Sequence, residues 1–205
     1  KQSVFLTFDE QKNPLLKYIL EKRKDYKRII LFTSTKDKVN EIARYLSKNG
    51  LTAQGISSNL DQKEREEVLR GFRSGRIRLL VATDVMSRGI DIKEINMVIN
   101  YDCPSDAEDY VHRVGRTARA NEKGEAVTLV NPKDMARLSK IQDLIGSEIP
   151  QRQLPEALGE GPKWVDKKPG KGGRNFKGKG KPRHHKKKHH HKGKGGHKKQ
   201  NAKKD

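Results

Sequence analysis

RIILFT (28–33) is too short for a helix of ordinary length and too apolar for a surface loop, and branched side chains dominate it. Such a run fits a strand buried on both faces of a parallel sheet. Directly after it, KDKVNEIARYLSKNG places Val39, Ile42, Ala43 and Leu46 on one helical stripe, and Gly50 supplies a stop. The hydrophobic period has switched from that of a strand to that of a helix, and the switch recurs. TAQGIS (52–57) precedes a helix opened by the capping-box residues Asp61 and Glu64, which runs through Phe72 and ends near Gly75. RIRLLVAT (76–83) and NMVINY (96–101) read as strands, and Ser105 with Glu108 forms a second capping-box pattern. EAVTLV (125–130) then leads to a helix over about 133–145. Near the start, VFLTF (4–8) reads as a strand, and Asn13-Pro14 predicts a helix cap with a first-turn proline ahead of LLKYILEKRK. Alternation of this kind predicts an α/β domain whose mostly parallel sheet is flanked by helices.

Charge divides the chain in two. Of 46 Lys+Arg and 26 Asp+Glu, residues 163–205 hold 18 bases and only 2 acids. From Glu156 onward glycine, proline and lysine dominate, and so few apolar side chains among so much like charge do not offset the entropy of ordering. The expected organisation is one domain over 1–150 and a disordered Lys/Gly/His-rich tail over 151–205. Six of the seven histidines lie between His184 and His197, which leaves His112 alone in the body. A single cysteine, Cys103, excludes an internal disulfide and fits a reducing, cytoplasmic location. No apolar run is long enough to span a membrane and no signal-peptide pattern opens the chain, so no membrane partner is expected.

In parallel α/β sheets, ligands sit beyond the carboxyl ends of the strands. Two segments stand out there: DVMSRGID (84–91) after LLVAT, and YVHRVGRTARA (110–120) after NMVINYD. In the first, Gly89 lets backbone approach a ligand and Asp91 follows two residues later. The second spaces Arg113, Arg116 and Arg119 three residues apart, so on a helix they would share one broad arc. No acidic residue lies between Asp109 and Glu122, which predicts an anion arriving from elsewhere; the plainer alternative is a solvated basic helix face. Gln62 and Arg65 stand one turn apart at a helix start, where backbone donors favour a phosphate. QKEREEVLRGFR is equally an amphipathic helix with its charges outward.

Taken together, these segments resemble the C-terminal RecA-like domain of DEAD-box ATP-dependent RNA helicases, a fold of the P-loop NTPase type. ATDVMSRGIDI (82–92) resembles motif V, HRVGRTAR (112–119) motif VI and IILFTSTK (29–36) motif IV. Gln62 and Arg65 match the QxxR element, and FRSGRIRLLVATD matches the lead-in to motif V. The resemblance covers about 1–150, and His112 at the head of HRxGRxxR favours the DEAD-box branch over the DEAH branch. It implies ATP as cofactor, with Mg²⁺ held mainly by an N-terminal RecA-like domain that this chain lacks. It also implies two partners, RNA read through its backbone and that missing domain. By resemblance, Arg116 and Arg119 are catalytic arginines that also bind ATP, while Gly89 and Asp91 bind ATP with Asp91 accepting from the ribose. Thr35, Gln62, Arg65, Thr83 and Arg88 are implied to face RNA, and His112 and Arg113 to couple the two domains. Plainer alternatives are that Asp91 caps a turn and that Arg88 pairs with Asp84.

Three departures from the family pattern occur. Ser57-Ser58 stands where many relatives have His-Gly, a departure at a position where the resemblance implies an RNA-side contact. Met86-Ser87 replaces a common Ala-Ala and Ala118 a common glycine, and both leave the charged groups in place. In the tail, Gly173 to Lys179 matches GxxxxGK, but Gly180 follows where Ser or Thr should hold Mg²⁺ and no strand precedes it. The tail is expected instead to bind nucleic acid by charge, with solubilisation as the alternative. Residues 1–150 contain no Q motif, GxxxxGK[ST] loop, Asp-Glu-Ala-Asp box or SAT element, and the first residue is Lys1. The expectation is therefore the second half of a helicase that does not turn over alone. A stand-alone RNA-binding or annealing module is the rival reading.

Overall fold

A computed structural model describes residues 1–87, 95–117 and 124–165. They fall in a unit spanning Lys1–Lys168; a second unit, Pro169–Asp205, lies outside the described residues. Strand β1 (Gln2–Leu6) leads into helix α1 (Asp9–Glu21), and β2 (Ile29–Phe32) into α2 (Lys36–Lys48). Next come β3 (Ala53–Ile56), α3 (Gln62–Arg73), β4 (Leu79–Ala82) and the single turn α4 (Asp84–Ser87). β5 (Met97–Asn100), α5 (Ala107–Val114), β6 (Glu125–Val130), α6 (Met135–Ile145) and β7 (Gln151–Arg152) follow.

The seven strands form one sheet in the order β3-β4-β2-β5-β6-β1-β7, and every neighbouring pair is parallel. β2, β4 and β5 are buried at every position, as their unbroken apolar runs require. Alternate residues serve opposite faces. Ile29, Leu31, Leu79 and Val81 pack with Leu16 and Leu20 of α1 and with Val39, Ile42 and Leu46 of α2. Ile30, Phe32, Leu80 and Val98 pack on the other side with Leu69 and Phe72 of α3. A third cluster joins Val4 and Leu6 to Tyr110 of α5 and to Met135, Leu138 and Ile141 of α6. Each fully buried Leu, Ile or Phe contributes about 1.5–3 kcal/mol. Gly55 lets β3 lie against α2, because a Cβ there would meet Val39 Cγ1 at 2.7 Å.

Three helix starts differ from the sequence expectation. α1 begins at Asp9, so Pro14 lies inside the helix rather than in its first turn. Gln11 closes the start upstream: its Oε1 accepts the Phe8 N–H at 2.9 Å and its Nε2 donates to the Leu158 and Glu160 carbonyls. Asn13, the expected cap, instead accepts the Tyr101 hydroxyl proton at 3.0 Å. α5 is capped by Asp106, which accepts the Glu108 N–H at 3.0 Å, not by Ser105. α6 starts two residues late because the Asn131 Oδ1 takes the Lys133 and Asp134 N–H groups, each at 3.0 Å.

The boundary expected at 150 also moves. β7 pairs with β1 through Val4 and Gln151, and a 3₁₀ turn follows at Glu156–Leu158. Leu154 and Leu158 pack on the first core cluster and Trp164 on the third. Gly161 passes so close to the Leu6 carbonyl that no Cβ fits between them. Sparse but well-spaced apolar anchors thus carry ordered chain through 165, where bulk composition predicted tail. The tail from 166 onward lies outside the described residues.

Candidate functional site

The carboxyl ends of β4, β2 and β5 are neighbours. The Thr33 N–H donates to Ala82 O at 3.0 Å and the Tyr101 N–H to Phe32 O at 2.9 Å, so the residues leaving these strands emerge side by side. The arginine segment reaches this edge through Arg113, which is 4% exposed. Its Nε and Nη2 donate to the two carboxylate oxygens of Asp84, both at 2.6 Å, in a bidentate pair. Its Nη1 donates to Asn100 Oδ1 and to the Asp102 carbonyl, each at 3.1 Å, and its guanidinium carbon lies 4.9 Å from the Phe32 ring centroid. Arg113 therefore has its anion already, contributed by the first residue of α4.

Among the described residues, the helix expected to carry the arginine arc ends between Arg113 and Arg116. α5 ends at Val114, Gly115 caps it, and half-buried Arg116 lies in the turn that follows. Arg119 lies outside the described residues. The turn is closed by buried Thr117, whose hydroxyl donates to Val114 O at 3.2 Å. Gly124 packs so tightly on Thr117 that a Cβ has no room. His112 sits on α5 and is exposed.

Sequence reasoning missed the most heavily bonded group at this edge, Asp102. Its Oδ2 accepts from the Thr33 hydroxyl (2.8 Å), the Ser34 N–H (2.9 Å) and the Ser34 hydroxyl (2.8 Å). Lys38 Nζ lies 2.9 Å from Oδ1, and Lys12 Nζ, on a side chain only 1% exposed, lies 3.4 Å from the same oxygen. Burial acts to raise the Asp102 pKa, but the bonds from Lys38, Ser34 and Thr33 together with the Lys12 charge outweigh it and hold the carboxyl well below its ordinary range. Both residues left a signal. Asp102 directly follows a strand at the sheet's carboxyl edge, and Lys12 lies on the apolar stripe with Leu15, Leu16 and Ile19.

The remaining predicted residues take local positions around this edge. Thr35 caps α2, its Oγ1 accepting the Lys38 N–H at 3.3 Å. Gln62 donates to Glu66 at 2.7 Å, and Arg65 Nη2 donates to the Met86 carbonyl at 3.1 Å, tying α3 to α4. Asp61 and Glu64 complete the predicted capping box with bonds of 2.7 and 2.9 Å. Thr83 is half-buried between β4 and α4, while Arg88, Gly89 and Asp91 lie outside the described residues. Among the described residues no group of three or more His, Cys, Asp or Glu could hold a metal ion, and no helix is long and apolar enough to cross a membrane.

Residues 11–121 match the model of the helicase conserved C-terminal domain family. The chain is 44% identical over 126 residues to the ATP-dependent RNA helicase CshA of Listeria monocytogenes, covering 62% of this chain and 24% of that protein. It is 39% identical over 158 residues to RhlB, an ATP-dependent RNA helicase of Xanthomonas axonopodis pv. citri, covering 77% of this chain and 28% of that one. It thus spans about a quarter of the length of these relatives. The fold superposes with a TM-score of 0.72 on the E. coli DEAD-box protein SrmB, solved bound to the regulator RraA, at 34% identity over 80% of this chain and 95% of that one. With the parallel sheet, the strand-edge segments and these relatives in hand, the chain belongs to the helicase conserved C-terminal domain family and is a RecA-like C-terminal domain of the DEAD-box RNA helicases.

Proposed function

We propose that this chain supplies one half of an ATP site and one half of an RNA groove to an ATP-dependent RNA helicase, and that it does not turn over without an N-terminal RecA-like domain. The observation that carries the reading is the Arg113–Asp84 pair, which fixes the Arg116 turn beside the ends of β4 and β5. ATP brings the phosphoryl group to be transferred. Arg116 and Arg119 act on it by presenting fixed positive charge where negative charge develops. Asp91, with the Gly89 backbone near it, takes the ribose. Arg113 does not touch the nucleotide; buried against Asp84, it orients the segment, and with His112 it couples the closing of the two domains.

In the same reading Thr35, Gln62, Arg65, Thr83 and Arg88 offer hydroxyl, amide and guanidinium donors to RNA phosphates. Arg65 donates from Nη2 to Met86 O and from Nη1 to Met86 Sδ and keeps its other N–H groups for a phosphate. Such contacts read the backbone rather than the bases, so selectivity for a sequence is not expected from them. The described residues do not fit Mg²⁺, and the proposal leaves that ion to the N-terminal domain.

RNA-stimulated ATP hydrolysis, measured after adding an N-terminal DEAD-box domain in trans or joining it in cis, tests the reading. Arginine fingers are worth ~10³–10⁵ in rate in related nucleotidases, so Arg116→Ala should reduce turnover at least about 100-fold. Unchanged turnover would remove Arg116 from the site. Failure of any N-terminal domain to restore turnover, with RNA binding retained, would favour a stand-alone RNA-binding module.

A further inference from the structure

The opposite edge of the sheet, at the amino ends of β2 and β4, carries a charge concentration that the strand-end site does not use. Residues 22–28 and 73–78 hold eight of the 28 basic residues of 1–162 but only one, Asp25, of its 24 acidic residues. Specific bonds bring the two segments together. Arg28 Nη2 donates to Arg73 O at 2.9 Å, and Arg78 donates to Tyr26 O at 2.8 Å, to Leu20 O at 3.1 Å and to Arg23 O.

The ordinary reason for cations here is that α1 and α3 end at this edge, leaving carbonyls that attract positive charge. Arg78 and Arg28 already meet that need, and Arg23 is paired with Glu125 at 2.8 Å. Five cations remain: Lys22, Lys24, Lys27, Arg73 and Arg76, all exposed and, among the described residues, with no hydrogen bond or ion pair to their side chains. An aromatic ring stands with them. Tyr18 is 40% exposed, and the Lys22 ammonium lies 5.6 Å from its centroid. Unpaired like charges held together cost self-repulsion unless a polyanion screens them. Cations beside an exposed aromatic ring suit a single-stranded nucleic acid, which offers both phosphates and stacking faces.

We propose that this amino-end edge is a second RNA-backbone surface, separate from the strand-end site, which holds RNA extending beyond that site. The inference rests on RNA being the substrate and not on the roles of Thr35 or Arg116. The test neutralises Lys24→Gln, Lys27→Gln and Arg76→Gln together in the full chain and measures affinity for a single strand of about 40 nucleotides across a salt series. Each single-strand phosphate contact contributes about 0.7 to the slope of log affinity against log salt, so the triple variant should be shallower by about 2. A control triple at exposed positions elsewhere, Arg44→Gln, Lys133→Gln and Lys140→Gln, should change the slope by less than about half as much. An unchanged slope overturns the proposal, and so does an equal change in the control, which would reflect net charge alone. Loss of polyglutamate binding with the RNA slope intact also overturns it, assigning the edge to an acidic protein. Arg116-dependent turnover is a separate readout, so failure of the strand-end reading leaves this result interpretable.

Discussion

Asp102 and Arg113 organise the strand edge by different means. The Asp102 carboxylate gathers Thr33 and Ser34 from the loop after β2, Lys38 from α2 and Lys12 from α1, while its backbone carbonyl receives Arg113 from α5. Glu125 plays a similar part at the opposite edge, where burial raises its pKa but Arg23, then Arg152 and Tyr26, overcome that and lower it. Both carboxyls lie below their ordinary values of 3.8 and 4.5 in the folded chain. A carboxyl with a lowered folded value binds its proton more readily when unfolded. Its contribution to stability is therefore complete above the ordinary value and is lost as pH falls below it toward the depressed one. Urea unfolding should show stability dropping between about pH 5 and about pH 3, with a smaller drop in Lys38→Met, which removes a bond that depresses Asp102. A flat profile, or the same drop in the variant, would contradict the assignment of this charge network.

At the scale of elements, helix starts were legible where one residue could cap and ambiguous where two adjacent residues could. Asp61 and Glu64 form the capping box that their spacing predicts. Ser105 and Asp106 both suit an N-cap, and Asp106 takes the position. Asp61→Ala should then cost about 1 kcal/mol in unfolding free energy. Ser105→Ala should cost less than about 0.5 kcal/mol. Equal costs would mean that Ser105 also caps α5. Asn13-Pro14 was misleading for a related reason. A proline marks a first turn by statistics, but Gln11, bonded to chain nearly 150 residues away, fixes an earlier start.

For the whole molecule, the alternation of periods gave the parallel α/β class and located every strand of the body up to β6, because most of these strands are local apolar runs and β3, AQGI, falls between two helical patterns. β7 is not legible in the sequence, since two polar residues, Gln151 and Arg152, carry no period; it is held by pairing with β1 and by Leu154 and Leu158 behind it. Truncation after residue 150 removes β7 and these anchors, which should lower stability by about 3 kcal/mol and the melting temperature by several degrees. An unchanged melting temperature would mean that 151–165 adds nothing to the fold.

The sequence by itself determined the kind and order of the main elements, the two polar segments at strand ends and the family they belong to, because periodicity, caps and motif spacing are local properties of the chain. Only the tertiary structure decided which charges meet. Arg113 looked like one of three arginines awaiting an outside anion, yet the sheet order sets the end of β4 near α5 and gives it Asp84. Lys12 lies upstream of the helix start that Asn13-Pro14 predicted, yet it sits inside α1, buried beside Asp102. Coulomb attraction depends on distance in space, and distances between residues separated by tens of positions exist only once the strands have paired.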